Sequence, residues 1–186
     1  MKLSRNIVIS FILLVLIAAL YRVMPGRPFG FAPQIAMALF AGSVIKDRKY
    51  AFALPILSMF ISDLIYHLLY LSGAGIIPGF YSGQLTNYIL FSLLTVVGFF
   101  IREKNILSIV LGSLVGPTVY FLTSNFLVWL GGGGYNRPKT LEGLILCFND
   151  ALPFYRNSIA ATLFFCAVLF GGYFLFSKSG KLRQAV

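Results

Sequence analysis

Asp63 and His67 are the residues of this chain whose types could support acid–base chemistry or metal binding. They stand four positions apart in an apolar run, so on a helix they share one face and could hydrogen-bond each other. His67 is the one histidine, and a metal site needs more ligands, so we expect no metal and no other cofactor. No nucleophile accompanies the pair, so we do not expect an enzyme.

A second polar group fills residues 123–157, between two long apolar runs. It contains Asn125 and Trp129, then four consecutive glycines at 131–134, and it ends with Arg156 and Asn157. Nothing else in the chain packs so many hydrogen-bonding groups between two such runs. Glycine tolerates backbone conformations that other residues avoid, so the glycine run is either a hinge or a plain flexible linker.

The composition decides the class of protein. Of the 186 residues, 59% are hydrophobic and 11% are charged, and the mean hydropathy is +0.88. Soluble domains carry about 25% charged residues, so we predict a polytopic all-α membrane protein that forms a single domain over 1–186. The net charge of +10 is explained by basic loops between spans, so we expect no nucleic-acid partner. Two cysteines indicate neither a disulfide framework nor a zinc site.

Apolar runs predict six transmembrane helices at about 6–24, 33–44, 50–71, 85–101, 106–130 and 157–176. The first run also resembles a signal peptide, but it is long and further spans follow, so we interpret it as a helix. Residues 139–152 have helical spacing, with Thr140 as a candidate N-cap. They are too few and too polar to span, so we predict a short surface or re-entrant helix between helices 5 and 6.

The basic residues predict the orientation of these helices. Alternating spans place ten of the 15 on one side: Lys2, Arg5, Lys46, Arg48, Lys49, Arg102, Lys104, Lys178, Lys181 and Arg183. The other side receives Arg22, Arg27, Arg137, Lys139 and Arg156. Because Lys and Arg are enriched in cytoplasmic loops, we predict a bacterial inner (cytoplasmic) membrane protein with both termini in the cytoplasm.

In this orientation the polar side chains of four helices and three loops lie toward the external side. Polar groups near bilayer depth are costly and usually functional, so we predict an externally open pocket for a small-molecule ligand, capped by residues 131–157. The predicted substrate-binding residues are Asp63, His67, Asn87, Asn125, Trp129, Tyr135, Lys139, Arg156 and Asn157.

Two of these assignments have structural alternatives. Asp63 is expected to pair inside the bundle with Arg156 or Asn125, and it either stabilises the bundle or lines the pocket. Trp129 and Tyr135 either line the pocket or belong to an aromatic belt at the membrane interface.

Several motifs resemble a known family. They are residues 31–33 (FAP), 62–63 (SD), 123–126 (TSNF) with Trp129, 138–144 (PKTLEGL) and 151–157 (ALPFYRN). They are similar to a family of small bacterial integral membrane proteins of undetermined function. That family more distantly resembles the substrate-binding S-components of energy-coupling-factor (ECF) vitamin transporters. The resemblance implies an S-component-like bundle in the lipid bilayer, a vitamin or related micronutrient as ligand, toppling as the transport motion, and an ECF-type coupling subunit with ATPases as partners.

One departure concerns docking. S-components carry an Ala-x-x-x-Ala pattern in helix 1, whereas this chain has only Ala18-Ala19 there, so it acts alone or docks through another face such as 36–42. The function predicted first is a substrate-binding transport protein for uptake. The alternative is a small structural or accessory subunit of a larger membrane complex, with the pocket filled by side chains. An intramembrane enzyme comes third, because its acid–base pair lacks partners.

Overall fold

The computed structural model describes residues 5–178, and side chains over residues 9–175. This part of the chain is helical and has no strand. Its six helices are α1 (Arg5–Val23), α2 (Gln34–Val44), α3 (Arg48–Leu71), α4 (Gln84–Gly98), α5 (Ile106–Gly131) and α6 (Leu141–Lys178). The predicted all-α class is confirmed.

Three helical stretches are long and apolar enough to cross a membrane: Arg48–Leu71, Ile106–Gly131 and Leu141–Leu175. The other three, Ile9–Val23, Gln34–Val44 and Gln84–Gly98, are apolar but shorter. This pattern is that of a membrane protein. Six full spans and an S-component-like bundle stay predictions.

The short helix α2 lies at the centre of the bundle. It contacts α3, α4, α5 and α6, and residues 34–42 are all buried. Its 11 residues extend about 17 Å, roughly half of a hydrocarbon core. Small residues permit this position: a Cβ added to Gly98 of α4 would lie 2.5 Å from the Leu39 carbonyl oxygen and 3.0 Å from the Gly42 Cα.

Helix α6 differs from the prediction. Residues 139–152 do not form a separate surface or re-entrant helix, because α6 continues from Leu141 to Lys178 over 38 residues, about 57 Å. The predicted N-cap is confirmed, since the Gly143 N–H donates to Thr140 Oγ1 at 3.1 Å. Pro153, inside the helix, lacks one N–H, and a single missing hydrogen bond does not end a helix whose flanking turns are intact. Because the residues around Pro153 are polar, the sequence suggested that the helix was interrupted there.

The ends of the helices fall into two groups with different character. At one end, Asp47 caps α3 and Asn105 caps α5, and the Arg48 guanidinium stacks 3.6 Å from the centre of the Phe99 ring. At the other end, called here the polar end, α1 finishes and α2 and α4 begin. Hydrogen bonds between side chains of different helices concentrate at the polar end.

Candidate functional site

Asp63 lies at the centre of a hydrogen-bond network at the polar end. Its side chain is 2% exposed. One carboxylate oxygen pairs with Arg22 of α1, while the other accepts hydrogen bonds from Gln84 Nε2 at 2.7 Å and the Tyr88 hydroxyl at 2.8 Å. Three donors from two other helices therefore hold the buried charge, as an ion pair of this kind requires.

Arg22 is held in turn by α3. Its Nη1 also donates to the hydroxyl of Ser62, and its backbone carbonyl accepts a hydrogen bond from the Tyr66 hydroxyl at 2.6 Å. The guanidinium lies 5.6 Å from the centre of the Tyr66 ring. The end of α1 is thus fixed against one face of α3.

A cavity of about 190 Å³ adjoins this network. Each of the six helices contributes at least one residue to the cavity wall, and so does the α1–α2 connection. Helix α2 contributes its N-terminal residues Gln34 and Ile35. The lining residues are Arg22, Arg27, Gly30, Ala32, Gln34, Ile35, Met59, Asn87, Phe91, Tyr120 and Ser158. The cavity therefore has two cationic side chains and several hydrogen-bonding groups in an otherwise apolar interior.

Gln34, one of the lining residues, also carries a buried and unpaired acceptor. The residue is 2% exposed, and its Nε2 donates to the Ala18 carbonyl at 3.3 Å and lies 3.5 Å from the Ser58 hydroxyl. Its Oε1 is buried and has no hydrogen-bond partner among the described residues. The donor contact with the Ala18 carbonyl fixes which end of the amide is the oxygen. A buried acceptor without a partner is costly unless something else donates to it.

Arg27 approaches the cavity from the α1–α2 connection. Its Nε donates to the Arg22 carbonyl at 3.2 Å and its Nη1 to the Phe31 carbonyl at 2.8 Å. No carboxylate pairs with it in the described part of the chain. The connection is anchored on α6: Ser158 Oγ donates to the Gly30 carbonyl at 3.1 Å, and a Cβ on Gly30 would lie 2.6 Å from the Phe154 carbonyl oxygen.

Of the nine predicted substrate-binding residues, Asn87 lines the cavity. Its Oδ1 accepts from the Tyr120 hydroxyl at 3.0 Å, which joins α4 to α5 across the wall. Two more contact the residues or the connection that line it. Asp63 pairs with Arg22, which lines the cavity. Asn157 Nδ2 donates to the Phe29 carbonyl at 2.8 Å in the α1–α2 connection.

His67 does not bond Asp63. Its ring packs edge-on against Phe80, with centroids 5.1 Å apart, and its buried Nδ1 has no partner among the described residues. A Cβ on Gly79 would clash with the α3 backbone at Asp63 and His67, so the α3–α4 connection presses against this face. The Asp63–His67 hydrogen bond that their spacing allowed does not form, and Asp63 takes its donors from Arg22, Gln84 and Tyr88.

The expected partners of Asp63 are also wrong. Arg156 is exposed and has no hydrogen-bond or ionic partner among the described residues. Asn125 donates to the Phe121 carbonyl of its own helix at 2.8 Å. Both residues lie on α5 or α6, whereas the charge that reaches Asp63 comes from α1.

The remaining predicted residues belong to the α5–α6 hairpin, defined here as residues 123–152. Trp129 Nε1 donates to the Pro138 carbonyl at 2.8 Å, and Lys139 Nζ lies 5.3 Å from the Trp129 ring centre. Tyr135 is 77% exposed. None of these three lines the cavity, which the α1–α2 connection borders, and the cap over residues 131–157 stays a prediction.

The hairpin is closed by its own ion pair. Arg137 donates to both oxygens of Asp150, from Nε at 2.8 Å and from Nη2 at 3.0 Å. The hydrogen bonds to Asp150 raise the pKa of Arg137 above its ordinary value, so its guanidinium stays charged. Asp150 therefore has its ionic partner within the hairpin.

Sequence reasoning missed most of the cavity wall, including Arg22, Arg27, Gln34 and Tyr120. A signal existed for Arg22: the predicted orientation placed it at the same end as Asp63, inside an apolar run. Gln34 carried one too, as a polar residue at the start of a short helix of small residues. The described residues contain no group of three or more His, Cys, Asp or Glu side chains that could hold a metal ion.

These features define a helical protein with three helices long and apolar enough to span a membrane and a polar cavity at one end of the bundle. The chain belongs to a family of unknown function, DUF6580, which matches residues 2–184. The prediction of a family of undetermined function is confirmed, and the ECF S-component resemblance stays a prediction. No curated protein and no solved structure matches the chain.

Proposed function

We propose that this protein is a substrate-binding integral membrane protein that takes up a small solute through the cavity at the polar end. The observation that carries the proposal is a cavity of about 190 Å³ at the polar end that Arg22 and Arg27 line, Arg27 having no carboxylate partner among the described residues. Polar groups at this depth persist where they bind something, because leaving them unpaired is costly. A bundle that served only to pack would have filled this space with apolar side chains.

The cavity also bears on the kind of solute. Pockets for drug-sized ligands measure about 300–1,000 Å³, so a cavity of about 190 Å³ suits a solute at the small end of the micronutrient class. A vitamin, taken from the S-component resemblance, would need the cavity to widen. The proposed orientation, with the polar end outside a bacterial inner membrane and both termini inside, rests on the distribution of basic residues.

Under this proposal, neither of the two faces considered above for docking an ECF-type coupling subunit is used. Ala18 and Ala19 are 4% and 0% exposed and face the interior. The face at 36–42 lies in the core around α2. A coupling subunit with its ATPases would therefore have to contact another surface.

The test is to fill the cavity and examine what the protein carries. Ala32 lines the cavity, so Ala32→Phe should occupy it, whereas Ala160→Phe adds the same ring at an exposed position of α6. Native mass spectra of the wild type and Ala160→Phe should show a bound small molecule that Ala32→Phe lacks. Proteoliposomes with the wild type should accumulate that same mass from a cell extract. Identical spectra for all three proteins, with no accumulation, would refute the proposal.

A second candidate, an accessory subunit of a membrane complex, is favoured by the α5–α6 hairpin. The hairpin closes on itself through Arg137–Asp150, yet it leaves Tyr135 77% and Leu141 74% exposed. Exposed apolar side chains on a fixed projection suit a protein partner. Under this alternative, the double variant Tyr135→Ser with Leu141→Ser would lose a co-purifying membrane protein. Ala32→Phe would retain that protein at the wild-type level.

A further inference from the structure

We propose that His67 is a pH-sensitive contact for the α3–α4 connection, residues 72–83: the neutral imidazole holds the connection against α3, and protonation of the ring releases it. The proposal goes beyond the uptake of a solute, because it concerns a movement of the protein that needs no ligand. His67 is the one histidine of the chain, so no other imidazole titrates.

The connection packs directly on this side chain. The Phe80 ring meets the imidazole edge-on, with centroids 5.1 Å apart, and its centroid lies 6.3 Å from that of Phe60, two turns before His67 on α3. Gly79 is buried, and a Cβ added to it would lie 2.7 Å from the His67 Cβ. Phe80 and Gly79 therefore fix the position of the connection on α3.

The imidazole lacks an acceptor for a second ring hydrogen. Its Nδ1 is buried and has no hydrogen-bond partner among the described residues. In the neutral ring one nitrogen carries a hydrogen, whereas in the imidazolium both do and the ring is charged. A charged donor that is buried without an acceptor costs more than a neutral nitrogen in the same place. The held connection therefore favours the neutral ring.

The neighbouring charges do not supply the missing acceptor. The titratable and charged groups around this face are Asp63, Tyr66 and Tyr70 of α3, Arg22 of α1, Tyr81 of the connection and Tyr88 of α4. Tyrosine is neutral below about pH 9, and Arg22 balances the charge of Asp63. The other four acidic residues lie at the opposite end or on the hairpin: Asp47, Glu103, Glu142 and Asp150. An imidazolium at this position thus has no free carboxylate to pair with.

Release of the connection removes this obstacle. Away from Gly79 the connection is largely exposed, with Ile76 92% and Tyr81 43% exposed, so little packing opposes its displacement. Water then reaches Nδ1, and the C-terminal end of α3, four positions after His67, favours a positive charge through the helix dipole. The released form therefore binds a proton more tightly than the held form. Lowering the pH favours release, and raising it restores the contact.

The movement is linked to the Asp63 network through Gln84. The Gln84 Nε2 donates to the Gly79 carbonyl at 3.3 Å and to Asp63 Oδ2 at 2.7 Å. Displacement of Gly79 removes the first of these hydrogen bonds and leaves the amide less constrained. Asp63 also pairs with Arg22, which lines the cavity. Protonation of His67 is thereby connected to one wall of the cavity.

The test follows the connection with a nitroxide spin label on the full-length protein in lipid nanodiscs. Ile76→Cys provides an exposed thiol, whereas the native Cys147 and Cys166 are 7% and 1% exposed and stay unlabelled. The mobile fraction of the electron paramagnetic resonance spectrum should rise about twofold or more between about pH 7.5 and about pH 5.5, in one step within the range where histidine titrates. It should fall again when the pH is raised.

Two replacements of His67 and one control label decide the cause. His67→Phe keeps a ring against Phe80 but cannot be protonated, so the label on Ile76→Cys should stay immobile at both pH values. His67→Asn should also show no pH dependence, and it replaces His67→Phe if the Tm of that variant shows that it does not fold. A label on Tyr135→Cys, at a 77% exposed position of the hairpin, should not respond to pH.

The inference is wrong if the label on Ile76→Cys shows no change with His67 present. It is also wrong if the step persists without His67, or if the hairpin label changes equally, since acid would then loosen the whole protein. None of these outcomes concerns the co-purified molecule, so Ala32→Phe tests the proposed function separately.

Discussion

Two Arg–Asp pairs in this chain have similar chemistry and very different surroundings. Arg22 and Asp63 join α1 to α3, with side chains 20% and 2% exposed. Arg137 and Asp150 close the α5–α6 hairpin, with side chains 33% and 26% exposed. The first pair connects residues 41 positions apart and the second connects residues 13 apart. The first therefore helps to specify how helices assemble, while the second shapes one local connection.

The networks around the pairs differ in the same way. Asp63 accepts from Gln84 and Tyr88 in addition to Arg22, so its charge is compensated from α1 and α4 at once. Asp150 accepts from Arg137 alone among the described side chains. Burial makes an unpaired charge costly, so the supporting donors are needed at Asp63 and dispensable at Asp150. The comparison shows that a polar group near an apolar run identifies a functional region only when its burial is known.

The sharpest way to test this difference is to remove each carboxylate in turn. Asp63→Ala should lower the free energy of unfolding by about 3–5 kcal/mol, because it leaves Arg22 without its partner inside the bundle. Asp150→Ala should lower it far less, since water can solvate Arg137. Thermal unfolding in nanodiscs without ligand measures both. Similar losses for the two variants, or an Asp63→Ala protein as stable as the wild type, would contradict the comparison.

A double variant separates two quantities: the stability lost when one partner of the buried pair is removed, and the net contribution of the whole pair to the free energy of unfolding. Arg22→Met with Asp63→Leu removes both charges and keeps similar volumes, so it should regain most of the stability that Asp63→Ala loses. The same protein should lose the co-purified small molecule, because one of the two cavity guanidiniums is gone. Arg22→Met alone is the control, and it should be among the least stable variants. A double variant no more stable than Arg22→Met would show that Gln84 and Tyr88 depend on the charge itself.

The sequence predicted the apolar helices well and the site less well. Long apolar runs and caps such as Thr140 are local signals, so the helices and the all-α class could be predicted. The Arg22–Asp63 pair depends on how α1 packs on α3, and no spacing rule relates residues 41 positions apart. The continuity of α6 through Pro153 was missed for a related reason. A proline shows where one hydrogen bond is lost, but the remaining turns decide whether the helix ends.

The α5–α6 hairpin, where the sequence predicted a cap, does not line the cavity in the structure. Residues 123–157 hold many polar groups, and their density pointed to a lid. In the structure several of those groups pair within the segment: Trp129 bonds Pro138, and Arg137 bonds Asp150. The polar groups of the cavity wall instead come from separate helices and the α1–α2 connection, and Arg27 among them has no carboxylate partner in the described part of the chain. Sequence reveals how many polar groups a segment has, whereas only the fold reveals which remain unsatisfied.

The smallest expected effect concerns the hairpin pair. Arg137→Gln should lower Tm slightly in low salt and not at all in about 1 M NaCl, because screening at that ionic strength acts within about 3 Å and an exposed pair is already weak. The wild-type Tm should fall toward that of the variant as salt rises, while the gap between wild type and Asp63→Ala should persist, since buried pairs are screened much less. Parallel salt titrations of the three proteins measure both trends. A salt-independent loss in Arg137→Gln would mean that the hairpin pair is shielded, for example by a protein partner seated on Tyr135 and Leu141, and the accessory-subunit alternative would then gain over uptake.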